Sequence, residues 1–515
     1  MKFFKYIFFA SAALGLVSCS EDKFTDVFPP VEDSTETPDD PGEQPGETVS
    51  SHNELYRPQI HYTPNANWMN DPNGLVYLDG KWHMYYQYNP RGNDWGNMSW
   101  GHAVSTDLMH WDEQPVAMVR NDLGDIFSGS AVVDKDNTAG FGAGAIVAIY
   151  TSAGEHQQQS IAYSTDGGTT FTQYEGNPVI ANTVDGSGFR DPKVFWHNES
   201  SQWIMTLTQA ERDWEWGDFR IKFYGSKNMK NWNLLSEFNT ELPRAKRGQW
   251  ECPDLIRMNY NGADKWVLII SSNPGGIVAG SGTMYFVGNF DGTTFTADDV
   301  DNPLWLDYGA DNYAGVTWSN TPDSRVVLIG WMNNWLYAGA VPCSPWRSAM
   351  TLPRELKLIE VNGSPLLSTS VVKELDNIAG EWQNSADGIC YGGDAYEMKF
   401  TVPTNETTYF RIGNDRNQYM EVEVNAIVKK IIANRTSTTG NVNFHNLFSI
   451  PTTAAPFNTD ADELEIHVYV DNSSVEIITG DGTASITNLV FPTVPYDRIS
   501  GVDGISYRPL KSIWK

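Results

Sequence analysis

Positive charge is scarce in this 515-residue chain: 35 Lys and Arg stand against 64 Asp and Glu, for a formal net charge of −29 at neutral pH. A basic face able to track a phosphate backbone is missing, which argues against a nucleic-acid partner and leaves neutral ligands such as sugars open. Cysteine is nearly absent too. Of the four, Cys252, Cys343 and Cys390 are widely spaced and suit neither a disulfide framework nor a zinc site, so they are expected as buried thiols. Helical periodicity is almost missing; the N-terminal apolar run is too short for an ordinary bilayer-spanning helix, and no other long apolar stretch appears. Glycine-rich stretches lack a phosphate-binding context: Gly140-Phe-Gly-Ala-Gly144 leads into a strand-like run, and Gly275-Gly276 with Gly280-Ser-Gly282 has neither the Lys nor the helix such a loop needs. No nucleotide cofactor is expected.

Aromatic residues, by contrast, are abundant, with 19 Trp, 23 Tyr and 23 Phe, a supply suited to pleated sheets and to surfaces that stack on sugar rings. The length suggests two or three compact units. Residues 1–18 read as a signal peptide, with Lys2 and Lys5 ahead of a short apolar run from Ile7 to Val17. That run ends Leu16-Val17-Ser18-Cys19, which resembles the lipobox of bacterial lipoproteins and makes Cys19 the expected lipidation site. Glu21-Asp22 behind it resembles the surface-export signal of lipoproteins in Bacteroides-like bacteria, so the expected location is the outer membrane, facing the exterior. Residues 20–50 hold ten acidic residues against one Lys among Pro and Gly, the composition of a disordered tether; segment 19–53 is assigned to it.

From about Tyr56 to Arg354, short aromatic strands alternate with turn clusters, as in the hairpin around Asp79-Gly80. A weak repeat starts at Ser105, Ser164, Ser226 and Asn289, each time a polar turn followed by Trp or Phe, at separations of 59, 62 and 63 residues. A period of about 60 with only strands between fits one four-stranded propeller blade, and the stretch holds five. The expectation is therefore an all-β chain: a five-bladed β-propeller over 54–356, a linker over 357–374 and a β-sandwich over 375–515, where Trp becomes scarce and alternation regular, as in Leu464–Val470 and Val475–Thr479.

Three strings place polar residues among aromatics: Trp68-Met69-Asn70-Asp71-Pro72-Asn73-Gly74, Gly188-Phe189-Arg190-Asp191-Pro192-Lys193-Val194 and Gln249-Trp250-Glu251-Cys252-Pro253-Asp254-Leu255. Taken singly, the first spells a turn and the second an ordinary surface ion pair, whereas Glu251 between Trp and Cys is placed to keep a proton near neutral pH. Together they say more. Asp71, Asp191 and Glu251 stand 120 and 60 residues apart, in step with the repeat, so equivalent blade positions bring them to one axis. Gathered carboxylates that cannot all ionise suit acetal cleavage, with one group as nucleophile and another as acid.

These strings, with Phe127-Ser128-Gly129-Ser130, Gly330-Trp-Met-Asn-Asn-Trp335, Pro345-Trp-Arg347, Leu352-Pro-Arg-Glu-Leu356 and Asp471-Asn-Ser-Ser-Val-Glu476, closely resemble the signature set of glycoside hydrolase family 32, the invertases, inulinases and levanases. The resemblance implies a retaining β-fructofuranosidase acting on fructans or sucrose-like sugars, with Asp71 as nucleophile, Glu251 as acid/base and Asp191 as transition-state stabiliser. It further implies that Asn70, Gln87, Trp95, Phe127, Ser128, Arg190 and Trp335 line the fructose pocket, that Cys252 packs beside the acid, and that no metal or other cofactor is needed. Two other readings keep the same fold or anchor: fructosyl transfer to sugars, and a non-catalytic surface lipoprotein that captures glycans. Trp214 and Trp216 read either as further sugar subsites or as packing between blades.

Overall fold

The computed structural model describes residues 51–184, 187–210, 219–240, 248–386, 388–390, 395–437, 444–449, 452–459 and 461–514. The expected leader, Cys19, nearly all of the acidic tether, Trp214 and Trp216 lie outside them. Among the described residues, five sheets, each built on four antiparallel strands, follow one another along the sequence, and two larger sheets come after them. The first strands of the five, Asn67–Leu78, Asp125–Asp134, Gly188–His197, Gln249–Tyr260 and Tyr313–Thr317, pack each against the next and the fifth against the first, a closed ring. Trp346–Arg347 seals it by pairing in parallel with Asn67 and Trp68. The five-bladed propeller expected from the repeat is present.

The repeat itself is turn chemistry. It falls at the connection between third and fourth strands in each of the first four blades, where one side chain accepts hydrogen bonds from backbone N–H groups just downstream. Asp107 accepts from Met109 and His110, Asp166 from Thr169 and Thr170, Asn228 from Lys230 and Asn231, and Asp291 from Thr293 and Thr294.

The expected linker, 357–374, is mostly not a linker. Strands Arg354–Val361 and Ser364–Val371 form a hairpin that supplies the outer half of the fifth blade, and a short 3-10 turn, Lys373–Asn377, comes next. The reason lies in packing: Leu356, Leu358 and Leu367 are buried against Val267, Ile269 and Tyr285 of the fourth blade. Trp runs out before the propeller does, so the change in texture marks the last aromatic-rich strand and not the domain's end.

The sandwich pairs a six-stranded sheet with a five-stranded one. Alternate residues face inward, among them Met398, Phe400 and Val402 from one sheet and Met420, Val422 and Val424 from the other, the period-two burial that gives such a core. Its contact with the propeller is polar as well as apolar. Arg354, 1 % exposed, bridges Asp307 at 3.0 Å and Glu476, while His61 lies between Asp471 and Glu476 at 2.7 Å from each. The motif residues of the second domain therefore serve this seam.

Candidate active site

Asp71, Ser128, Asp191, Glu251 and Tyr313 all lie near the start of an inner strand, which puts them at one end of the propeller axis. Every inner strand also breaks its pairing register there: between Met69 and Pro72, across from Ile126 to Gly129, opposite Thr206–Thr208 in the third blade, from Glu251 to Asp254, and from Tyr313 to Val316. Such bulges turn side chains out of the alternating pattern and toward the axis. Asp191, Cys252 and Ala314 adopt φ of 64°, 47° and 54°, a conformation that non-glycine residues hold only where their surroundings enforce it. The string around Asp71, which reads locally as a turn, is instead part of a twelve-residue strand. Pro72, Pro192 and Pro253 are tolerated because no strand pairs with the axis-facing side of the inner strands at these positions; in the first blade Trp346–Arg347 pairs only with Asn67 and Trp68.

Hydrogen bonds draw the three carboxyl groups into one cluster. Asp71 accepts from the Ser128 hydroxyl at 2.7 Å and from the Asn70 amide at 3.1 Å, and the Cys252 thiol lies 3.5 Å from its Oδ2. Asp191 accepts from the Cys252 backbone N–H at 2.9 Å. Glu251 accepts from Arg190 Nε at 3.0 Å and from the Tyr313 hydroxyl. Arg190, no surface ion pair, is 3 % exposed and also reaches Gln157 at 3.0 Å.

Burial pushes all three acids above the usual carboxylate range. For Asp191 the Arg190 guanidinium opposes this, and the charges of Glu251 and Asp71 reinforce it; Glu251 is likewise relieved by Arg190 and raised by Asp71. For Asp71 the Ser128, Asn70 and Cys252 bonds pull the other way. Three buried acids with one guanidinium among them, bonded to Glu251 and felt by Asp191, cannot all ionise cheaply, so the set retains a proton well above the pH at which a lone carboxyl would lose it. Burial and the neighbouring acids also push the Cys252 thiol up, which keeps it an S–H donor. Cys252 thus does more than pack beside the acid: it spans Asp71 and Asp191.

Of the residues expected to line a pocket, Asn70, Ser128 and Arg190 bond directly to the acids. Gln87 is buried, its amide held by Asn73 Oδ1 and the Ile126 carbonyl, both at 2.9 Å. Trp68 donates to Asn70 at 2.7 Å and stacks with half-buried Trp335 at 5.8 Å, and Trp95 meets Phe127 edge-on at 6.2 Å. Among the described residues no group of side chains could hold a metal ion.

Tyr313 was not among the residues expected here. A signal existed for part of this: the shared Pro aligns Asn70-Asp71-Pro72, Arg190-Asp191-Pro192 and Glu251-Cys252-Pro253, which makes Glu251 the counterpart of Arg190 and Cys252 that of the aspartates. Tyr313-Ala314-Gly315 has no Pro, and only the backbone reveals it as the fifth member.

Two family models match the chain, Glycosyl hydrolases family 32 N-terminal domain over residues 61–370 and Glycosyl hydrolases family 32 C terminal over 366–507. The levanase of Bacillus subtilis is 43 % identical over 501 residues, covering 90 % of this chain and 72 % of its own length. The crystal structure of the exo-inulinase from Aspergillus awamori superposes with a TM-score of 0.81 at 34 % identity, over 90 % of this chain and all of that one. A β-fructofuranosidase from Schwanniomyces occidentalis, solved with fructosyl-erythritol, follows at 0.79 and 33 %, over 90 % and 99 %.

Proposed function

The chain belongs to glycosyl hydrolase family 32, and from that premise we propose that it cleaves β-fructofuranosyl bonds of fructans and sucrose by double displacement, with Asp71 as nucleophile, Glu251 as acid/base and Asp191 as stabiliser. One observation supports the assignment of roles: three acids buried together, Asp71 and Asp191 on either side of Cys252 and Glu251 on the Arg190 guanidinium. Asp71 is pinned on both oxygens, which favours a fixed line of attack on the anomeric carbon. Glu251, held by Arg190 and Tyr313, delivers the retained proton to the leaving oxygen and then takes one from water. Asp191 faces the charge that develops on the sugar ring. Asn70, Gln87, Arg190 and Ser128 supply the polar contacts to fructose, and Trp95, Phe127 and Trp335 the apolar walls.

Digests of sucrose, levan and inulin followed by chromatography test the activity, and early-time NMR of the released sugar tests the route. Fructose should appear first as the β anomer; first appearance of the α anomer would rule out the double displacement. No fructose from any of the three would reject the activity itself.

We also propose that Cys19 carries lipid and that the acidic segment after it tethers the enzyme outside the outer membrane. Support comes from the Leu16-Val17-Ser18-Cys19 string and from composition. Thirty extended residues at roughly 3.3 Å each would reach on the order of 100 Å, enough to work on polymers too large to enter a cell. Cys19→Ala should release the protein from membranes, and protease added to intact cells should digest the parent. Full protection would place it in the periplasm.

A further inference from the structure

We propose that Arg435, a sandwich residue, is a positioning residue for the sugar pocket of the propeller: it clamps together the two chain segments that deliver Tyr313 and Trp335. The inference rests on the fructosidase reading above. Arg435 is 1 % exposed and lies in strand Lys430–Ser437. Its guanidinium donates to Asp311 Oδ2 at 2.6 Å, to the Tyr337 hydroxyl at 2.7 Å, and to the carbonyls of Phe448 at 2.8 Å and Leu489 at 3.1 Å. Tyr337 in turn donates to Asp311 Oδ1 at 2.6 Å, which closes a triangle of one sandwich and two propeller residues.

What gives the triangle meaning is where its propeller corners lie in the chain. Asp311 stands two residues before Tyr313, whose hydroxyl holds Glu251. Tyr337 stands two residues after Trp335, whose ring packs on Trp68 and on Trp331, at 5.8 and 4.8 Å. Between the corners, Asn334 donates to the Ala310 carbonyl at 2.8 Å, and the Trp335 N–H is fixed by Ser281 Oγ at 3.0 Å. The loop from Trp335 to Trp346 has little regular structure of its own and lies on an apolar layer, Tyr337, Val341, Cys343 and Trp346, shared with Phe448, Leu489 and Phe491 of the sandwich. Without the sandwich both segments lose the partner that sets their relative height. A pocket wall and the support of the acid would then drift together, and shifts on the order of 1 Å are costly in a site built for one geometry.

The buried seam offers an internal control. Arg354 is as buried as Arg435 and bridges the same two domains; its partners Asp307 and Thr487 touch the segment before Tyr313, through Asn312 at 3.4 Å and the Asp311 N–H at 3.1 Å, but Arg354 does not tie that segment to the one that carries Trp335, as Arg435 does through Asp311 and Tyr337. The test compares Arg435→Lys with Arg354→Lys in the full chain, both of which keep a positive charge in place, at a temperature where each is folded by circular dichroism. Both should lower Tm. Only Arg435→Lys should raise KM for sucrose, by about tenfold, and weaken fructose binding followed by tryptophan fluorescence. It should also displace the alkaline limb of kcat/KM to higher pH, because a displaced Tyr313 supports the ionised form of Glu251 less well. Equal, parent-like KM and pH profiles in both variants would overturn the proposal and leave Arg435 a structural residue. The parent's own turnover is measured first, so failure of the fructosidase reading shows before either variant is made.

Discussion

Two clusters of buried charge lie within this molecule, and they are built on opposite principles. Around the propeller axis, Asp71, Asp191 and Glu251 share one cation, Arg190, which acts on Asp191 and Glu251, and burial drives every acid upward in pKa. At the seam with the sandwich, Asp307, Asp311, Asp471 and Glu476 meet Arg354, Arg435 and His61 in near balance. There the cations outweigh burial: Glu476 is pulled down to about 2 and Asp307 below the usual range, while His61 is pushed up to about 9 by its two acids. A raised acid is a cost that the folded state carries at neutral pH; a depressed one is a contribution to stability. The first cluster stores unfavourable charge for chemistry, and the second uses favourable charge to fasten two domains.

Removing one acid from each cluster should therefore have opposite effects. Asp71→Asn is expected to lower kcat/KM on the order of 10⁴-fold or more, because a lost nucleophile removes several kcal/mol of transition-state stabilisation. Its Tm should stay level or rise, since a buried, crowded charge has gone. Residual turnover within tenfold of the parent would take Asp71 out of its role, and a large fall in Tm would refute the idea that the axis is strained. Glu476→Gln should do the reverse. It leaves Arg354 and His61 short of a buried partner, so unfolding in denaturant should become easier by about 3–5 kcal/mol, with kcat on the surviving folded protein near the parent's.

A second contrast is visible in pH. On folding, Arg354 and His61 pull Glu476 from its ordinary 4.5 down to about 2, so its contribution is whole above about 4.5 and drains away as pH falls toward 2. His61 moves from 6.5 up to about 9, so its contribution is whole below about 6.5 and is lost as pH rises through 9. The same contact is thus broken from opposite ends, and Tm should be highest between about 4.5 and 6.5. Thermal scans across pH check this. His61→Gln should flatten the alkaline decline, and an unchanged decline would place its origin elsewhere.

How much of this could be read from the chain alone divides along the same line. The axis was legible because its residues come in short strings, one in each of the first four blades, and because the turn that ends the third strand of these blades repeats about every 60 residues. Asp71 and Asp191 are each followed directly by Pro, and Glu251 stands two residues before one, the trace of a strand with an open side and a bulge. Tyr313 and Gln157 carry no such mark, since one sits beside Ala and Gly and the other in a run of glutamines. The seam was legible only as motif: Arg354 and Glu476 stand out in their strings, but they meet across 122 residues, and Asp471 reaches His61 across 410. No local pattern encodes such a pairing. The outer hairpin of the fifth blade was missed because its alternation resembles that of the sandwich strands that follow.

The smallest effect tests whether a buried tyrosine hydroxyl differs between the two clusters. Tyr313 and Tyr337 are both deeply buried, and both donate to a carboxylate, Glu251 in one case and Asp311 in the other. At the seam that bond joins two propeller segments beside Arg435, and its acid is none of the three at the axis. At the axis it stabilises the ionised form of the acid, so Tyr313 holds the pKa of Glu251 lower than burial alone would set it. Tyr313→Phe keeps the ring against Trp331 and removes only the donor. The Glu251 pKa should then rise, which moves the alkaline limb of kcat/KM for sucrose to higher pH by about one unit, since a hydrogen bond to a charged group is worth about 1.5–3 kcal/mol and part of it is recovered by rearrangement. The loss in kcat should be about tenfold or less. A fructoside whose leaving group needs no proton should show little of this shift, because kcat/KM then no longer depends on Glu251 as an acid. A limb that stays in place for sucrose, with Tm alone reduced, would make Tyr313 the equivalent of Tyr337 and erase the distinction between the clusters at this point.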